Sequence, residues 1–191
     1  MSESGAVWLV IVVALAGANL PFLLQRPLVL LPRSEAGAPP GRVLGRWLES
    51  LLYFLVFYLV LRGAYQTIGT ALVMASDPGS RLLFLGRILG YGLSFGALLA
   101  FPGWRDRHRT AAGKSFAVRL LEVILIYLAV GVLGLALEYN MGSRFPQTWE
   151  FYAITGSLFV VLGYPGFVFR YLLKRSKAPR KRAQASEKSS G

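Results

Sequence analysis

The chain has 191 residues, 54% of them hydrophobic, and its 21 Lys+Arg against 9 Asp+Glu give a formal charge of +12. A soluble nucleic-acid-binding domain can carry such a charge, but it spreads its apolar residues at helical or strand periods and does not reach a mean hydropathy of +0.51. Without cysteine there is no disulfide framework, thiol nucleophile or thiolate metal site, and what the composition predicts is an all-α polytopic membrane helix bundle.

The apolar residues lie in blocks near the ~20 residues that cross a ~30 Å hydrocarbon core. Five spans are expected. The first, Val7–Leu24, is uncharged and follows Met1–Ala6, which has a glutamate and no basic residue. A secretory leader is positively charged, so this segment reads as an uncleaved span, with Asn19-Leu20-Pro21 as a stop near its end. The second runs from Trp47 to about residue 70 and is interrupted at Arg62. The third, Leu82–Phe101, holds only Arg87 and carries Gly86, Gly90, Gly92 and Gly96, two small-xxx-small pairs that predict tight packing within the bundle or against a partner. The fourth is Val118–Leu137 and the fifth Phe151–Leu173, where Pro165 in Gly163-Tyr164-Pro165-Gly166 predicts a kink. Residues 1–175 form one transmembrane domain. Residues 176–191 read as a basic, disordered tail, and Lys174, Arg175, Lys177, Arg180, Lys181 and Arg182 suit anionic lipid headgroups. Trp8, Trp47, Trp104 and Trp149 fall at expected interfaces.

Orientation follows from the basic residues of alternating connections. Arg26, Arg33, Arg42 and Arg46, then Arg105, Arg107, Arg109, Lys114 and Arg119, then Arg170 and seven further basic residues of the tail make 17 on one side, against Arg81 and Arg144 on the other. The expected topology is N-terminus out, C-terminus in. Shifting the sequence by 73 positions also sets Arg46-Trp47-Leu48-Glu49 over Arg119-Leu120-Leu121-Glu122 and Leu89-Gly90-Tyr91 over Leu162-Gly163-Tyr164. That agreement suggests spans two and three as a parallel copy of spans four and five.

Four charges belong to the spans themselves. Glu49 and Glu122 read either as proton relays or ion ligands, or as helix-start acids paired with Arg46 and Arg119 three residues earlier. Arg62 and Arg87 read as partners of Asp77, Glu138, Glu150 or another subunit, as lipid phosphate contacts, or as snorkelling side chains. The single histidine, His108, sits among arginines, and no catalytic or nucleotide-binding motif occurs. No metal, cofactor or nucleic acid is expected, and the chain reads as non-catalytic.

Phe145-Pro146-Gln147, Trp149-Glu150-Phe151-Tyr152-Ala153-Ile154-Thr155-Gly156, Tyr164-Pro165-Gly166-Phe167 and Arg170-Tyr171-Leu172, with Ala18-Asn19-Leu20-Pro21-Phe22 and Arg119-Leu120-Leu121-Glu122, carry a resemblance. The chain resembles a small proteobacterial inner-membrane family of unknown function, whose genes are often found beside those of NADH-quinone oxidoreductase, respiratory complex I. The resemblance covers roughly residues 7–33 and 114–175. Members with about three spans imply that residues around 37–112 are an added helical pair. It further implies a multi-pass protein of the bacterial inner membrane, an accessory or assembly component of the oxidoreductase's membrane arm. A different reading of the same charges is a small oligomeric secondary transporter working through Glu49 and Glu122; an integral-membrane lipid-modifying enzyme is a third, without a recognisable nucleophile.

Overall fold

In the computed structural model, residues 3–32, 39–71, 77–105, 115–142 and 146–173 are described. Most of them are helical, with no strand among them, and five helices are long and apolar enough to cross a membrane. These are α1 (Glu3–Leu23), α2 (Pro40–Gly69), α3 (Pro78–Arg105), α4 (Phe116–Asn140) and a fifth crossing made of α5 (Trp149–Leu162), α6 (Tyr164–Val168) and a π-helical turn, Phe169–Leu173. Every expected span is present, and most helices extend a turn or so beyond its apolar block. Local chemistry sets several starts. Ser115 Oγ accepts the Val118 N–H, Asp77 accepts the N–H groups of Gly79 and Ser80, and Pro40 opens α2 where an amide proton has no helical partner.

The helices run alternately up and down, and α4 is the central one. It packs on α1 and α2, while α3 leans mainly on α2 and the fifth crossing on α1. Buried residues make up 39% of the apolar window of α4 but 11% of that of α3. One cluster joins Ala14 and Ala18 of α1, Val123, Ile126 and Val130 of α4 and Phe159 of α5. A second, at the opposite end, joins Ala6, Ala64, Ile68, Phe84, Ala136 and Leu137. Small α1 residues permit the approach: a Cβ on Gly17 would fall 2.7 Å from Ile126 Cγ2. Outward the surface is apolar, with Leu51, Leu55, Leu83, Leu93 and Val161 exposed. Lipid is as apolar as leucine, so these side chains add nothing to helix association, which rests on close packing and hydrogen bonds.

Arg62 breaks the apolar run of α2 but not the helix, which continues to Gly69, close to the expected end near residue 70. The glycines of α3 do not pack within the bundle: Gly86, Gly90, Gly92 and Gly96 are exposed, and a Cβ on any of them would meet nothing within 4 Å. Their four-residue spacing predicts a close contact without saying that the neighbour belongs to the same chain.

Candidate functional site

Beyond α1 the chain does not leave the bundle. Residues 24–32 form an irregular strap that folds back against α2 and α4, with Leu28 and Val29 buried. Its backbone polar groups lack a helical ladder, and within a bilayer such groups must find partners in the protein. Side chains supply them. Glu122 Oε1 accepts the Leu28 N–H at 2.7 Å, the Tyr53 hydroxyl donates to the Leu28 carbonyl at 2.9 Å, and Ser50 Oγ donates to the Leu30 carbonyl at 2.9 Å. Ser50 and Tyr53 stand three apart on one face of α2, the spacing that presents both to the same segment.

Arg119, three residues before Glu122, holds the end of α1. Its Nη1 donates to the carbonyls of Pro21 at 2.9 Å and Phe22 at 3.4 Å, among the last carbonyls of that helix, where a cation also meets the negative end of the dipole. The guanidinium carbon lies 5.9 Å from the Tyr171 ring centroid, within cation–π range. Both charged residues are buried, Arg119 at 2% exposure and Glu122 at 0%. Glu122 is six residues into α4, about 9 Å along the axis. Together Arg119, Glu122, Ser50 and Tyr53 form a polar clamp on residues 21–30.

A second polar device joins α1 to the fifth crossing. Pro165 lacks an amide proton and disrupts the turn before it, so the helix breaks at Gly163. Asn19 enters the break: its Nδ2 donates to the Leu162 carbonyl at 2.9 Å and its Oδ1 accepts the Gly166 N–H at 2.7 Å. These are the two groups that would bond each other in an uninterrupted α-helix, so one amide side chain splices the ladder. The approach requires glycine, since a Cβ would fall 2.9 Å from Asn19 Oδ1 at Gly166 and 3.0 Å from the Ala18 carbonyl oxygen at Gly163. The kink expected at Pro165 is therefore a packed joint against α1.

The two glutamates highlighted by the sequence are not brought together. Glu49 is exposed on α2 and pairs at 2.8 Å with Arg105 of α3, both side chains nearly half exposed. Arg87 donates from Nη1 to the Thr67 carbonyl at 3.1 Å, near the end of α2, and Arg62 lies 3.5 Å from the Tyr58 hydroxyl one turn earlier. No ion pair to an acid joins Arg62 or Arg87 among the described residues. The positions related by the 73-residue offset have unlike surroundings: Glu49 and Gly90 are exposed, Glu122 and Gly163 buried. Trp8, Trp47, Trp104 and Trp149 are all exposed near helix ends. Lys174, Arg175, Lys177, Arg180, Lys181, Arg182 and His108 lie outside the described residues.

Sequence reasoning missed Ser50 and Tyr53 as site residues and gave Asn19 only a terminating role. A hydroxyl pair at helical spacing beside an irregular connection, and an amide inside an uncharged span, were the available signals. Among the described residues no three of His, Cys, Asp and Glu gather in a way that would hold a metal ion. The polar side chains of the clamp and the splice are directed at main-chain atoms, and the chemistry they perform is the positioning of backbone.

Residues 6–74 and 97–174 match the family described as "Protein of unknown function (DUF2818)". The chain belongs to this family. No curated protein and no solved structure matches it. The DUF2818 match takes in the clamp residues, the strap, Asn19 and the Gly163–Gly166 joint, and it includes α2, which the resemblance had assigned to an added pair around 37–112. Between the two matched stretches lies 75–96, which takes in most of α3. The matched remainder of α3 is where that helix meets the rest of the site: Leu99 joins the core beside Leu28, a Cβ on Gly103 would fall 3.0 Å from Arg26 Cβ, and Arg105 pairs with Glu49.

Proposed function

We propose that this DUF2818 protein is a non-catalytic, multi-pass component of the bacterial inner membrane that docks on the membrane arm of NADH-quinone oxidoreductase as an accessory or assembly factor. The observation that carries a structural role is the commitment of the buried polar side chains: Arg119, Glu122, Tyr53 and Asn19 hold backbone atoms of neighbouring segments. A chain that uses buried charge to fix its own shape suits a scaffold. The oxidoreductase as partner is supported by the resemblance to a family encoded beside its genes. In this reading the excess of basic residues places the clamp end and the C-terminus in the cytoplasm, and the exposed glycine face of α3 with Arg62 and Arg87 forms the docking surface.

A transporter built on Glu49 and Glu122 receives less support, because one acid is in a surface ion pair and the other holds the strap. The deciding experiment is affinity purification of the oxidoreductase, through a tagged membrane-arm subunit, from its native membrane in mild detergent. The chain is expected to elute with the complex in near-constant ratio. Its recovery entirely in the unbound fraction, in membranes where the complex is intact, would sink the proposal.

A further inference from the structure

Arg62 and Arg87 belong to neighbouring helices that run in opposite directions, and this sends their side chains opposite ways. In an α-helix each Cα–Cβ bond leans toward the helix N-terminus, and long side chains follow it. Arg87 of α3 therefore leans back toward Pro78, and its Nη1 donates to the carbonyl of Thr67, two residues from the end of α2. Arg62 leans away from that end, and its Nη1 lies 3.5 Å from the hydroxyl of Tyr58. Along α2 these two anchor residues are about 13–14 Å apart at ~1.5 Å per residue. One guanidinium has reached a helix end, and the other has moved away from it.

The second position is the middle of the crossing. Exposed Trp47 and the end of α2 at Gly69 are about 33 Å apart, the thickness of one hydrocarbon core, and Tyr58 stands midway between them. Arg62 is exposed, and its neighbours show which way it faces: Gly63 turns to Tyr91 and Thr67 to Arg87 of α3, while Ala64 and Ile68 are buried in the core. It shares its face with Leu55, Tyr58, Leu59 and Gln66, all exposed, at the spacing of one helical seam. Charged side chains at such depth turn to a bundle interior or a water-filled cavity and pair with an opposite group. Here a 3.5 Å contact to a neutral hydroxyl is at the limit of a hydrogen bond, and no acid among the described residues answers the charge.

Charge and depth together select what covers this face. Phospholipid phosphates lie about 15 Å away at either surface, and the side chain leans away from the nearer one. Among the described residues, a second copy of this chain has no acid to bring to this level. Glu49 is about 13–14 Å closer to the start of α2 and pairs with Arg105, Glu122 is buried against the strap, and Asp77, Glu138 and Glu150 stand at or beside helix ends. The carboxylate has to come from a different protein, on a segment whose backbone bonds itself within the bilayer, which is a helix.

We propose that the Arg62 face of α2 receives a transmembrane helix of another protein, which presents an aspartate or glutamate near its own midpoint to the guanidinium. The inference rests on the reading of this chain as a docking protein and names the group its partner presents; it does not require that partner to be the oxidoreductase.

The test places the photoreactive residue p-benzoylphenylalanine at Leu59 of the full-length chain, irradiates it in its native membrane and sequences the adduct peptides by mass spectrometry, with exposed Val161 of α5 as the control position. The expected adduct is a transmembrane peptide of another protein with an Asp or Glu within one turn of the crosslinked residue, at a yield several-fold above that at Val161. Arg62→Leu removes only a loose contact, is expected to melt unchanged, and should lower the Leu59 yield about tenfold; Arg62→Gln is the second variant, should the first fail to fold. Arg62→Lys should keep most of the yield, and an Arg62→Glu chain should regain it when the partner's acid is replaced by Arg. A Leu59 yield no higher than that at Val161, an adduct peptide without an acid, an adduct to a second copy of this chain, or a yield that survives Arg62→Leu overturns the proposal. The two readings fail separately. Retention of the chain by the tagged oxidoreductase with only background at Leu59 keeps the docking and removes this face, whereas an acid-bearing adduct from a protein outside the oxidoreductase supports this face and counts against the oxidoreductase as partner.

Discussion

Arg46 and Glu49 of α2 have the same spacing as Arg119 and Glu122 of α4, and their fates differ. Glu49 is exposed and pairs with Arg105 at the surface, whereas Glu122 and Arg119 are buried against the main chain of residues 21–28. Depth along the helix does not explain this, since Glu49 is nine residues from the start of α2 and Glu122 only six from the start of α4. The difference lies in what covers each helix. The strap folds over the beginning of α4, which is central, while α2 lies at the side of the bundle and leaves Glu49 facing outward. A charged pair at a helix start thus reports on the connection beside it more than on the helix that carries it.

The strongest way to break the comparison is to remove one charge from each region. Arg119→Met leaves the Pro21 and Phe22 carbonyls uncapped and disturbs a buried charged cluster, a class of change that costs about 3–5 kcal/mol. Arg105→Met removes only an exposed ion pair and is expected to cost about 0.5 kcal/mol or less. Thermal unfolding in mild detergent, followed by circular dichroism, measures both. Equal losses would mean that burial of Arg119 has no energetic content. Within the clamp, Glu122→Gln retains an acceptor for the Leu28 N–H and is expected to be milder than Glu122→Leu, which leaves a buried donor bare at about 1–3 kcal/mol.

The splice between α1 and the fifth crossing comes next in size. Asn19→Leu preserves bulk but strips partners from the Leu162 carbonyl and the Gly166 N–H, and two unsatisfied groups suggest a loss of about 2–4 kcal/mol. Asn19→Asp keeps the acceptor and loses the donor, so it should fall between the two. If Asn19→Leu melts like the unaltered protein, water or a rearranged turn satisfies the break, and the joint is not held by Asn19.

The five crossings were legible because a hydrocarbon core imposes length and apolarity on each span, a constraint strong enough to read from composition alone. The kink was legible for a similar reason: proline removes a donor wherever it stands. The strap was not. Gln25–Pro32 holds two prolines and one arginine around Leu28-Val29-Leu30-Leu31 and reads only as a connection, because where it is buried depends on acceptors and donors that α2 and α4 contribute from about 20 to 94 residues away. The glycines of α3 left two neighbours open, the bundle or a partner, since small residues permit a close contact and cannot name the neighbour. The same spacing logic applied to Gly163 and Gly166 does find a neighbour, the α1 backbone at Ala18 and Asn19.

That contrast between glycines gives the smallest effect and the sharpest separation of stability from docking. Gly→Ala in an open helix position removes about 0.5–1 kcal/mol of backbone entropy cost, so Gly90→Ala and Gly96→Ala should leave melting unchanged or slightly raised. Gly166→Ala should lower it, because the added methyl meets Asn19 Oδ1 at 2.9 Å. Bulkier Gly90→Leu still has open space in the isolated chain and should melt normally. If the α3 face docks on the oxidoreductase, however, that side chain holds the partner's backbone away, and recovery with the tagged complex should fall while the melting curve stays where it was. Normal recovery of Gly90→Leu with the complex would take the docking surface off α3 and return it to another face of the bundle.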